Sequence, residues 1–78
     1  MKVVYVTYEE AQRLRPVFKQ LVRKAPWKEA RESASRILEE LSLVRKGVEY
    51  EPLEGKQIIL QPIDYEFLTD VMDQTETR

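Results

Sequence analysis

Hydrophobic and polar positions follow two different periods along this chain, and its elements lie between the points where the period changes. Val3-Val4-Tyr5-Val6 is β-branched and aromatic throughout and predicts a short strand that Thr7 ends. Thr7 and Glu10 stand three positions apart, the spacing of a capping box, so a helix is predicted from Tyr8. Ala11, Leu14, Val17, Phe18, Leu21 and Val22 continue it as one apolar stripe. Pro16 falls inside the stripe. A mid-helix proline lacks an amide hydrogen and crowds the carbonyl four residues back, at roughly 3 kcal/mol. It predicts a kink between Gln12 and Pro16, or two shorter helices end to end.

The strongest helical pattern runs from Pro26 to Lys46. Trp27, Ala30, Ala34, Ile37, Leu38 and Leu41 recur at three- and four-residue steps, which assigns Trp27 to the core. Pro26 suits a first turn, Arg45 and Lys46 suit the negative end of the helix dipole, and Gly47 suits a left-handed stop. Lys28, Glu32, Arg36 and Glu40 alternate in sign on the opposite face and read as a structural ladder. The tight Lys24-Ala25-Pro26 connection predicts an antiparallel or steeply crossed helical hairpin.

After Gly47 the period becomes two. Val48-Glu49-Tyr50-Glu51 alternates apolar and charged, Leu53 to Lys56 makes a turn, and Gln57-Ile58-Ile59-Leu60-Gln61 is the best strand, so a β-hairpin is predicted. Pro62 opens a last helix with Asp64 and Glu66 in its positive first turn and Ile63, Phe67, Leu68 and Val71 on its apolar side. A disordered tail is expected at 74–78. Residues 1–73 then form one small α+β domain of order β-α-α-β-β-α, a short sheet packed against a helical hairpin with a C-terminal helix. If Val4, Val6, Ile58 and Leu60 point inward, Val3, Tyr5 and Ile59 must share the opposite face, where a partner or a second copy could bind.

Composition narrows the function. At 78 residues, 42% hydrophobic and 35% charged, the chain has the make-up of a soluble domain near the smallest size that supports a core. It has no cysteine and no histidine, which removes disulfides, thiolate metal sites and the commonest acid/base group. Glu66, Asp70 and Asp73 lie on one side of the last helix, but with no glycine-shaped loop or further ligand they read as a solvated face. Ser33, Ser35 and Ser42 have no histidine base, and Gly47 and Gly55 stand apart from any phosphate-cradling motif. No catalytic, cofactor or metal site is therefore expected, and enzyme is the weakest class. No apolar run reaches transmembrane length and no signal sequence is evident, which predicts a cytoplasmic protein.

The net charge of −1 hides an asymmetry. Residues 1–48 carry eleven Lys/Arg against six Glu, and residues 49–78 carry two against eight Asp/Glu. Seven cations lie between Arg13 and Arg31, opposed by Glu29 alone. With the apolar stripe inward, Arg13, Lys19, Arg23, Lys24 and Lys28 form a ridge across the helix–helix turn that suits phosphates or an acidic protein surface.

Leu38 to Gly47, followed by a hairpin and a helix, resembles the recognition helix and wing of winged-helix DNA-binding proteins over the second half of the chain. The resemblance implies nucleic-acid binding. However, the wing carries Glu49, Glu51 and Glu54 with only Lys56, a charge that repels phosphate, and the family is not assigned. The leading expectation is a small non-enzymatic adaptor of the bacterial or phage regulatory kind, acting through protein–protein contact, with an acidic partner or a homodimer in view. The alternative is a nucleic-acid-binding module that uses the basic ridge.

Overall fold

The structure is a computed structural model and describes residues 1–45 and 55–76. The chain runs β1 (Lys2–Val6), α1 (Tyr8–Lys24), α2 (Lys28–Leu41), β2 (Lys56–Leu60) and α3 (Pro62–Glu76). It is an α+β domain in which three helices pack on one side of a two-stranded antiparallel sheet. The predicted strand at Val48–Glu51, Gly47 and most of the predicted turn lie outside the described residues. The partner seen for β2 is β1, with Val3 opposite Ile59 and Val4 opposite Ile58.

Strand alternation sorts the sheet as its pattern required. Val6, Ile58 and Leu60 are buried and Val4 is half-buried, all facing the helices, while Val3, Tyr5 and Ile59 face outward. The capping box forms in full: Glu10 N–H donates to Thr7 Oγ1 at 3.2 Å, and Thr7 N–H donates to Glu10 Oε1 at 2.9 Å. Helix α1 then runs unbroken through Pro16, not as two helices. Both Pro16 and Gln12 are exposed, so water can reach the Gln12 carbonyl that the proline leaves without a donor.

The second helix is shorter at both ends than the predicted span of 26–46, although it stops where the apolar stripe does, at Leu41. Pro26 biases the residue before it towards extended backbone, and Ala25 (φ −60°, ψ 139°) and Trp27 (φ −109°, ψ 140°) are both extended. Trp27 becomes the N-cap of α2 rather than part of its stripe. It is 69% exposed, and Ala25 is buried in the connection instead. At the other end, Ser42 and Leu43 turn the chain so that Val44 folds back into the core, and the helix stops at Leu41. Arg15 holds this turn from α1: its Nη2 donates to the Val44 carbonyl at 2.7 Å and to the Leu41 carbonyl at 3.3 Å.

Helix α3 differs from expectation in its rotation. Its buried line is Asp64, Leu68 and Val71, and Ile63, expected inward, is 59% exposed. Phe67 is half-buried and meets Phe18 of α1 edge to face, with ring centroids 5.8 Å apart. The helix also continues to Glu76, past Gln74 where the tail was expected to begin. The core is one cluster in which Phe18, Ile37, Leu41, Val44, Ile58 and Leu68 join all three helices to the sheet.

Candidate binding surfaces

Two surfaces contain the residues that the sequence marks for binding. The first is the outer face of the sheet. Val3, Tyr5, Gln57 and Ile59 alternate onto it, and none carries a charged side chain in a chain that is 35% charged. Val3 is 45%, Tyr5 39% and Ile59 55% exposed, and Val3 lies directly opposite Ile59. These two strands form the whole described sheet, so a contiguous apolar strip faces solvent.

The second surface is basic. Of the seven cations between Arg13 and Arg31, two are used by the fold: Arg15 closes the end of α2, and Arg31 Nη1 donates to the Ala25 carbonyl at 2.8 Å across the helix–helix turn. Arg15 also sits over the Tyr8 ring, 5.8 Å from its centroid. The other five, Arg13, Lys19, Arg23, Lys24 and Lys28, are all exposed, and among the described residues none of them pairs with a carboxylate. Lys19 and Arg23 line an open groove of about 450 Å³ between α1 and α2, whose other walls are Pro16, Gln20, Val22 and Leu38. Trp27 stands away from it, over a smaller groove of about 250 Å³ that it shares with Ala30, Ile63 and Phe67.

One polar cluster escaped the sequence reading. Arg36 was expected on the outer ladder of the long helix, Ser33 on that helix without a chemical partner, and Asp64 in the first turn of α3, whereas the fold brings the three together. Asp64 is 2% exposed. It accepts from Ser33 Oγ at 2.5 Å, from Arg36 Nη2 at 2.9 Å and from Arg36 Nε at 2.8 Å. The paired hydrogen bonds from Arg36 hold the Asp64 carboxyl below its ordinary pKa, against the opposing effect of burial, with Ser33 adding to the lowering. Hydrogen bonding to Asp64 in turn raises Arg36. The detectable signal was spacing: Ser33 and Arg36 share a helix face at i and i+3, and Asp64 heads the Leu68/Val71 line. The cluster is structural, a clamp between α2 and α3 whose buried polar atoms are satisfied.

Among the described residues no group of His, Cys, Asp or Glu side chains is placed to hold a metal ion, and no helix is long and apolar enough to cross a membrane. Compared with protein-family models, curated proteins and solved structures, the chain matches none.

Proposed function

We propose that this chain is a small, non-enzymatic cytoplasmic binding protein of the regulatory-adaptor kind, acting through protein–protein contact. The observation that supports this reading is the outer sheet face, where Val3, Tyr5 and Ile59 form an uncharged apolar strip over a sheet whose inner face is already filled. The occupant that suits this face is a second copy of the chain. The uncharged side chains of the strip meet their own copies without like-charge repulsion, and a two-fold arrangement sets Val3, Tyr5 and Ile59 of one copy against the same residues of the other. Two short strands cover roughly 17 Å by 10 Å, well under the roughly 800 Å² per partner of a standard interface, so the association is weak and concentration-dependent. Tyr5→Lys and Ile59→Lys are expected to abolish it in sedimentation equilibrium while leaving the monomer folded. A wild type that stays monomeric at millimolar concentration would refute the choice of occupant.

A second reading, nucleic-acid binding, draws on the five exposed cations that pair with no carboxylate among the described residues and on the exposed Trp27, which could stack on a base. Contact with about four phosphates gives a salt slope of roughly −3 to −4 on duplex DNA. We expect no sub-micromolar complex at physiological salt. A tight, steeply salt-dependent complex lost in Lys19→Glu and Arg23→Glu would put this reading first.

A further inference from the structure

The groove between α1 and α2 combines two features that the basic ridge alone does not have. Its floor is apolar, with Val22 and Leu38 half-buried and Pro16 at one end, and its wall on α1 carries Lys19 and Arg23. Among the described residues no carboxylate lines it, and none from α3 or the sheet does. Its volume of about 450 Å³ falls within the range of ligand pockets, about 300–1,000 Å³, but it is open to solvent, not an enclosed cavity, with five of its six described lining residues on α1 and Leu38 on α2.

These features specify the occupant by shape and charge. A trough between two packed helices accepts a third helix, whose side chains seat as ridges in the groove. An apolar floor needs leucine-like anchors at three- and four-residue spacing along that helix. Lys19 and Arg23, exposed and without a carboxylate partner among the described residues, need acidic residues along its flank. The other exposed cations, Arg13 and Lys24 towards the two ends of α1 and Lys28 at the start of α2, add a positive field that attracts such a helix as it approaches. Nucleic acid fits the cations but leaves the apolar floor uncovered. The Trp27 groove lacks this combination, because Glu29 lines it and, among the described residues, no cation does.

We propose that the α1–α2 groove binds an acidic amphipathic helix of a partner protein, with Val22 and Leu38 receiving its apolar anchors and Lys19 and Arg23 its carboxylates. This rests on the protein-contact reading and names the partner's chemistry at a surface separate from the sheet face.

The test uses two designed helical peptides with the same leucine spacing, one flanked by glutamates and the other by lysines. Each is titrated into the full chain while backbone amide shifts are followed by NMR, at about 0.15 M salt. The glutamate peptide is expected to bind and to move Lys19, Val22, Arg23 and Leu38, and the lysine peptide to bind at least about tenfold more weakly. The Lys19→Glu/Arg23→Glu double variant, altered only at exposed positions, should reverse that preference while keeping the wild-type fold. Absence of binding, or equal binding of both peptides, overturns the groove proposal. Shifts confined to Val3, Tyr5 and Ile59 overturn it too, yet leave the protein-contact reading standing. Displacement of the peptide from Lys19 and Arg23 by duplex DNA, with a steep salt dependence, sinks both.

Discussion

Arg36 of α2 grips Asp64 of α3 through two parallel hydrogen bonds, and although the arginine side chain is 49% exposed, the carboxylate it holds is almost wholly buried. Such a pair fixes geometry well, because a planar guanidinium and a carboxylate match at two points. It sets the rotation of α3: with Asp64 turned inward, Leu68 and Val71 follow it into the core and Ile63 is turned outward.

Acid should loosen this clamp. The folded-state pKa of Asp64 is depressed, so its contribution is fully present above the ordinary carboxylate range near pH 4 and is lost as pH falls through the lower folded value. Arg36→Met leaves the buried carboxylate with Ser33 alone and should cost about 1–3 kcal/mol at neutral pH. In urea titrations from pH 7 to pH 2, the stability difference between wild type and this variant should shrink at the acid end. A constant difference across that range would show that the pair does not titrate with folding.

Leu41 is completely buried at the point where α2 ends and the chain turns back to bury Val44. Truncation to alanine removes packing from both helices of the hairpin, and Leu41→Ala should cost about 2–5 kcal/mol. That is a large share of the 5–15 kcal/mol (roughly) typical of a whole domain. A shift in the urea midpoint with an unchanged slope is the expected result, and an unaltered midpoint would contradict the packing described here.

Gly55 has a positive φ of 117°, and a Cβ there would overlap the Val6 carbonyl. The chain needs this close approach to bring β2 alongside β1. Gly55→Ala should therefore destabilise by about 1–3 kcal/mol through strain and collision together, although alanine ordinarily restricts the unfolded chain and helps. Thermal unfolding measures it, and a variant as stable as the wild type would rule out the close approach of Gly55 to Val6.

Trp27 is the single tryptophan of the chain and is 69% exposed. Its fluorescence should report a wet environment in the folded protein, open to quenching by acrylamide and changing little on unfolding. Trp27→Ala should cost less than about 1 kcal/mol, far from the 3–5 kcal/mol (about) of a buried aromatic. Strong protection from the quencher would return Trp27 to the core.

What the sequence determined by itself is local. The Thr7–Glu10 box, the start of α1 and the inward and outward faces of both strands each depend on residues within a few positions of one another, so their patterns could be read directly. The same alternation identified Val3, Tyr5 and Ile59 as an outer face before any partner strand was known. Only the tertiary structure decided which cations remain available. Arg15 and Arg31 have the same charge as Lys19 and Arg23, but backbone carbonyls at the ends of other segments claim them, and a linear pattern does not show where those carbonyls lie. The same holds for Trp27 and Asp64. Spacing placed the tryptophan inside and gave the aspartate only a place in a positive first turn, yet the fold exposes the first and buries the second, since an extended Ala25-Pro26-Trp27 connection carries the indole off the helix stripe while Ser33 and Arg36 supply the donors that make a buried carboxylate affordable. Helical periodicity records which residues share a face. Whether that face points inward depends on contacts such as Arg36 to Asp64, 28 positions apart in the chain, and these exist only once the helices have packed.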